Sequence, residues 1–189
     1  MGFDLYGIKP LERTKKPEIL EKIWHEVAED ERKEYFNIST DYEKDNPGVY
    51  FRNNVWWWRP LWAYVCKVCY EVMDEGAMDG GTHNSSYKIN MKSARKMYKI
   101  LETLIDAGEV KKEEKRYKKS LEDMPLETCH LCDGSGKKHP NDTDPDRTSC
   151  WKCNGTGEEK NWLTSYPFSE KNVIEFSHFL RDCGGFRIC

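Results

Sequence analysis

The sequence is expected to fold in the α+β class, with about four helices packed on a small β-sheet and an insertion before the last helix. Three observations carry this expectation. Apolar residues recur at helical spacing in several segments. Short apolar, strand-like segments stand at both ends of the chain and can pair with each other. A frame of the form C-x-x-C-x-G-x-G occurs twice, beginning at Cys129 and at Cys150, in a stretch with few apolar residues.

Taken in order, "GFDLYGI" reads as a short strand. "PEILEKIWHEVAEDERKEYF" reads as a helix with Pro17 in its first turn, because Leu20, Ile23, Trp24 and Val27 recur at helical spacing and acids fill the opposite face. "NISTDYEKDNPG" reads as a loop closed by Pro47 and Gly48. "VYFRNNVWWWR" reads as extended. Pro60 then opens a helix, "PLWAYVCKVCYEVM", with a stripe of Leu61, Trp62, Val65, Val68, Val72 and Met73. "DEGAMDGGTHNSS" reads as a polar, glycine-bearing loop.

"NMKSARKMYKILETLIDAG" carries the clearest helical pattern. Asn90 is the expected N-cap, Gly108 the expected stop, and Ala94, Met97, Leu101, Leu104 and Ile105 the buried face. From Glu109 to Asp123 there are six basic and five acidic residues. The signs nearly cancel, which fits a solvated helix with i,i+4 pairs better than a nucleic-acid patch. Ser169 is placed to cap a last helix, "EKNVIEFSHFLRDC", whose buried face is Val173, Phe176, Leu180 and Cys183. Gly184 and Gly185 end it, and "FRIC" reads as a closing strand.

Composition narrows the function classes. Charged residues make up 33% of the chain and the formal net charge is −3, so nothing draws the chain generally to nucleic acid or to an anionic membrane. No apolar run approaches the ~20 residues of a membrane span. The N-terminus has neither the basic-then-apolar order of a signal peptide nor, with Tyr6 at the sixth position, a myristoylation pattern. The expected location is the cytoplasm, where eight cysteines point to metal or free thiols rather than disulfides.

The repeat spells C-x2-C-x17-C-x2-C over Cys129, Cys132, Cys150 and Cys153. Two residues between cysteines let one turn of chain present two sulfurs to one ion, and zinc takes four such ligands at tetrahedral angles. Gly134, Gly136, Gly155 and Gly157 allow the chain to fold tightly after each pair, so that backbone N–H groups can face the thiolates. The expectation is one structural zinc, holding a zinc-knuckle insertion over residues 129–159 within an α+β core of residues 1–128 and 160–189. Four sulfur ligands leave no open position for a reacting water. Two disulfides or reduced thiols in turns would leave the glycines unexplained. His130 lies inside the first pair and is poorly placed to ligate; His139 is a spare candidate.

These thirty or so residues resemble the zinc knuckles of DnaJ-type (Hsp40) cochaperones, which carry four CxxCxGxG repeats and two zinc ions. Two repeats imply one ion. The chain shows no J-domain, and "HPND" at His139 has an extra Asn relative to the His-Pro-Asp loop, so the resemblance implies a zinc fold and not a chaperone.

Four of the seven tryptophans fall in "VYFRNNVWWWRPLW". Read as a strand, the segment puts Phe51, Asn53, Val55 and Trp57 on one face and Arg52, Asn54, Trp56 and Trp58 on the other. The second face is a candidate surface for stacking a planar ligand and bonding its edge or phosphate. The alternative is a strand covered on both sides, with its tryptophans buried. "MGFDLYG", "YFRNNVWWWRPLW", "YPFSEKNVIEFSHFL" and "CGGF" resemble small accessory proteins of bacteriophages and prophages. That resemblance brings no activity with it, but it favours an accessory or host-interaction role, in the host cytoplasm.

Weaker patterns complete the reading. Cys66 and Cys69 form another C-x-x-C, but within an apolar helical stripe, where buried thiols are expected; a second metal shared with Cys183 and Cys189 is the alternative. "HEVAE" at His25 lacks a second His. "DPD" and "NDTD" lack the glycine and terminal Glu of a calcium loop. Asp79, His83 and Asn84 could join Arg52 and Trp58 at a pocket. The leading expectation is therefore a zinc-binding, non-catalytic protein that engages a protein partner or a small planar, nucleotide-like ligand through Arg52, Asn54, Trp56, Trp58 and His83. The alternatives are an enzyme on a nucleotide-like substrate, using Arg52, His83 and Asp79, and a nucleic-acid-binding zinc module, against which the negative charge counts.

Overall fold

The computed structural model describes residues 2–189, which divide into two compact units. The first comprises the residues up to Glu114 together with Phe168–Cys189; the second is Lys115–Pro167. The class is α+β as expected, with six α-helices among the described residues where about four were expected.

In the first unit, β1 (Gly2–Gly7), β2 (Tyr50–Asn54), β3 (Lys88–Ile89) and the closing strand Phe186–Ile188 make one antiparallel sheet. β1 lies between β2 and the closing strand, and β3 lies on that strand's far side. The two ends of the described chain do pair, Leu5 standing opposite Ile188 and Gly7 opposite Phe186. Alternation along β1 sends Phe3 and Leu5 into the core and leaves Asp4 and Tyr6 on the outer face.

The predicted helix from Pro17 does not form. Its place is taken by two single turns of 3-10 helix, Glu18–Glu21 and Trp24–Glu26, and α1 begins only at Arg32 and runs to Asp45. Lys22 and Ile23 are extended, with ψ of 143° and 141°, and break the helical phase. Leu20 and Val27 are buried, whereas Ile23 and Trp24 face solvent. The stripe thus arises from two separate turns, each inserting one apolar residue. The expected loop after it is helical instead, and its polar residues bond within the helix: Thr40 Oγ1 donates to the Phe36 carbonyl at 2.9 Å, and Ser39 Oγ to Glu43 Oε1 at 3.0 Å.

α2 (Val55–Val68) starts five residues before Pro60, which sits inside it. The extended reading therefore holds only through Asn54. The reason is a cap: Asn54 Oδ1 accepts from the N–H groups of Trp56 and Trp57 at 3.0 and 3.1 Å. The glycine-bearing loop is also a helix, α3 (Glu75–His83), capped by Asp74, whose Oδ1 accepts from the Ala77 N–H at 2.7 Å. Its glycines serve close approach rather than a turn. A Cβ on Gly81 would stand 2.0 Å from the Trp62 ring, and one on Gly80 2.3 Å from Tyr87 Cβ.

α4 (Met91–Asp106) forms where expected, although Leu104 and Ile105 of its expected face are only half-buried. Asn90 Oδ1 accepts from Ser93 N–H, Gly108 takes φ +68° beyond the last turn, and Ala94, Met97 and Leu101 are buried. α5 (Glu109–Glu122) is the charged helix, and the boundary between the units falls within it. α6 (Glu170–Asp182) buries Val173, Phe176 and Leu180 as expected, with Cys183 just beyond it also buried. Ser169 stands at its N-cap without a side-chain hydrogen bond.

The core lies between the inner face of the sheet and α2, α4 and α6. Phe3, Trp58 and Trp62 stack in a column, with centroid separations of 5.1 and 5.0 Å. Phe176 meets Trp58 edge-on at 6.0 Å. Such ring pairs add roughly 0.5–1.5 kcal/mol each beyond area burial. Two buried polar side chains tie the remaining chain to this core. Asn46 accepts from the N–H groups of Arg13 and Thr14 and donates to Thr14 Oγ1 and the Tyr42 carbonyl. Asp182 meets Arg13 at 2.5 Å and Arg181 at 2.9 Å.

In the second unit, Glu127–Thr128 (β4) pairs antiparallel with Glu158–Glu159 (β5) and closes the base of the cysteine repeats. The closing strand Phe186–Ile188 is β6.

Candidate metal centre

The four cysteines of the repeat are buried together, and their sulfurs all lie within 4.8 Å of one another. Cys129 Sγ and Cys150 Sγ are 3.8 Å apart, and Cys132 Sγ and Cys153 Sγ are 3.7 Å apart. A disulfide requires about 2.05 Å. A tetrahedron of sulfurs around an ion at ~2.3 Å has edges of about 3.8 Å. The donor set and its spacing therefore fit a four-coordinate metal.

The backbone explains how two short hairpins build this cluster. In each repeat the residue after the second cysteine is left-handed: Asp133 has φ 48° and Asn154 has φ 51°. A left-handed glycine follows each, Gly134 at 78° and Gly155 at 86°. The chain then reverses, and the N–H of Gly136 points at Cys132 Sγ while that of Gly157 points at Cys153 Sγ, both at 3.3 Å. Ser135 and Thr156 occupy matching positions, each hydroxyl donating to the carbonyl of its second cysteine.

The two repeats are also joined reciprocally. Cys129 N–H donates to the Gly157 carbonyl at 2.8 Å, and Cys150 N–H donates to the Gly136 carbonyl at 2.9 Å. A Cβ on Gly136 would stand 2.2 Å from the Gly155 carbonyl oxygen, and one on Gly157 2.3 Å from that of Gly134. The glycines are needed twice over, for positive φ and for this contact.

Thiol electrostatics follow from burial and these donors. Burial pushes Cys129 up to about 11. Burial acts the same way on Cys153, but N–H groups of Gly157 and Gly155 and the thiols of Cys150 and Cys132 outweigh it and hold it down to about 6. A bound ion would displace the thiol protons that remain.

The surrounding polar residues are held in other bonds. His130 Nδ1 meets Glu159 Oε1 at 2.5 Å, and Lys152 reaches Glu159 Oε2 at 3.3 Å. In the linker, Arg147 bridges Asp142 at 2.7 Å and Asp144 at 3.0 Å. Those acids are the ones whose spacing hints at calcium; here they serve a guanidinium, which holds the Asp142 carboxyl below its ordinary range.

The expected ligand face does not assemble. Because α2 begins at Val55, Trp56 and Trp58 do not share a strand face with Arg52 and Asn54. Trp58 is fully buried, and its Nε1 donates to the Gly81 carbonyl at 2.7 Å. Asn54 caps α2, Trp56 is exposed on that helix, and His83 is exposed at the end of α3, where its Nδ1 meets Asp79 at 2.8 Å. Arg52 alone projects from the outer face of β2, where it meets Asp4 at 3.5 Å. An Asn ahead of a helical stripe is the signal that could have located the cap. Among the described residues, Cys66, Cys69, Cys183 and Cys189 join no metal-binding cluster; Cys183 Sγ donates to the Leu180 carbonyl.

No helix among the described residues is long and apolar enough to cross a membrane. No family model matches the chain, and neither a curated protein nor a solved structure matches it. The cysteine cluster alone supports a zinc-knuckle-like module.

Proposed function

We propose that this chain is a zinc-binding, non-catalytic interaction protein of the accessory type, working in the host cytoplasm and holding one structural zinc through Cys129, Cys132, Cys150 and Cys153. The observation that carries the reading is the sulfur spacing of 3.7 and 3.8 Å, the edge of a zinc–thiolate tetrahedron. A closed set of four thiolates on two hairpins suits zinc. A closed set offers no position to a substrate, so the ion supplies folding free energy to a segment that has little apolar core of its own. The same unit exposes Leu126, Trp151 and Trp162, side chains suited to contact with a protein partner.

The test is metal analysis of protein purified without chelator. One equivalent of zinc is expected, with none in a Cys129→Ser/Cys150→Ser variant. Metal-free wild-type protein with a normally folded second unit would overturn the reading.

A further inference from the structure

The first unit carries a cleft of about 670 Å³ between the outer face of β1–β2 and α1. Its floor is a cross-strand pair, Tyr6 opposite Tyr50, with ring centroids 5.2 Å apart. Its wall is α1, which presents Phe36, 66% exposed, together with Glu43. Its cations are Arg52 and Lys16.

Glu43 is the informative residue. It is half-buried, its Oε1 accepts from Ser39 Oγ at 3.0 Å, and among the described residues no cation lies within ion-pair distance of it. Burial raises its pKa, and the Ser39 hydrogen bond opposes that shift. Arg52 is differently placed. It meets Asp4 through Nε at 3.5 Å and its side chain is 65% exposed, so it can turn toward an anion. Aromatic rings, a carboxylate in want of N–H donors and two cations thus line one cleft of ligand size.

We propose that this cleft binds a guanine mononucleotide, with the base against Tyr6, Tyr50 and Phe36, its N–H edge on Glu43, and its phosphate on Arg52 and Lys16. A carboxylate presents two parallel acceptors. Guanine offers two adjacent N–H donors on one edge, whereas adenine and cytosine offer one beside a ring-nitrogen acceptor that faces the carboxylate's lone pairs. The proposal rests on the reading of the protein as a binder, but not on its metal.

The experiment is calorimetric titration of the full zinc-loaded chain with guanosine, adenosine and cytidine monophosphates, guanosine, and inorganic phosphate. The guanine nucleotide is expected to bind at least tenfold more tightly than the other two nucleotides. Glu43→Gln should abolish that preference, and Arg52→Ala should weaken the nucleotide while leaving guanosine unchanged. Lack of saturable binding at millimolar nucleotide, equal binding of the three nucleotides by the wild type, or an unchanged preference in folded Glu43→Gln would each overturn the assignment. The wild-type comparison needs no variant to fold. Turnover of the bound nucleotide would leave the site standing and instead remove the non-catalytic reading, while loss of zinc alone would bear only on the knuckle.

Discussion

The indole N–H of Trp58 donates to the carbonyl of Gly81 at 2.7 Å, and that bond fixes α3 against α2. One turn earlier in α3, the Met78 carbonyl accepts from Trp62 Nε1 at 3.0 Å. The helix end is thereby capped by two buried indoles, which reach it only because Gly81 has no side chain. Gly81→Ala gains about 1 kcal/mol in helix propensity. It also places a methyl 2.0 Å from the Trp62 ring, inside a stacked aromatic column. A net loss of about 2 kcal/mol is expected by urea denaturation; unchanged or increased stability would contradict the packing described.

The two hairpins of the metal centre should respond alike to matched lesions. Gly136→Ala and Gly157→Ala each meet a carbonyl oxygen at 2.2–2.3 Å and a positive φ. Both are expected to lower zinc affinity by a similar factor, at least tenfold, in competition with a chromogenic chelator. Cys66→Ser should leave affinity unchanged, since Cys66 lies outside the cluster. Unequal effects of the two glycine variants would break the proposed equivalence of the repeats.

Asn54→Ala removes the acceptor of two N–H bonds at the start of α2 and should cost about 1 kcal/mol. Asn54→Asp should restore most of it. If ligand binding rather than capping were the residue's role, the alanine variant would unfold at the wild-type urea concentration.

Stability should fall on the alkaline side. Cys69 and Cys183 are wholly buried, and burial pushes each thiol up to about 12. Unfolded cysteine titrates near ~8.5. The folded value is the raised one, so the contribution is fully present below ~8.5 and is lost as pH climbs toward 12. Near pH ~9.5 the loss should be about 1 kcal/mol per thiol. Urea midpoints of the wild type and of Cys69→Ala/Cys183→Ala, compared at neutral and alkaline pH, isolate the effect. Parallel declines would show that these thiols do not contribute.

What could be read from the sequence was what local chemistry decides alone. α4 combines a cap, a stop and a full apolar stripe, and it forms where expected. The cysteine frame carries its own geometry in its glycines, and its sulfurs meet. The errors fall where tertiary contacts override a local signal. Gly80 and Gly81 look like a turn, but they are the surface on which Tyr87 and Trp62 rest. Leu20 and Val27 look like one helix face, yet two separate turns deliver them to the core. The tryptophan run alternates like a strand on paper, but Asn54 closes the strand and starts a helix. That single switch carries Trp58 into the interior. The cleft under α1 was out of reach for the same reason, since its aromatic residues come from segments read as strand, loop and mispredicted helix.

The crossed amides of the knuckle leave neither half self-sufficient, for each borrows its closing acceptor from its twin. A lone copy of the motif could mature only by meeting another, as a symmetric pair of chains. Joined in tandem on one polypeptide, the twins no longer depend on concentration to find each other, and an inherited defect in either falls on both.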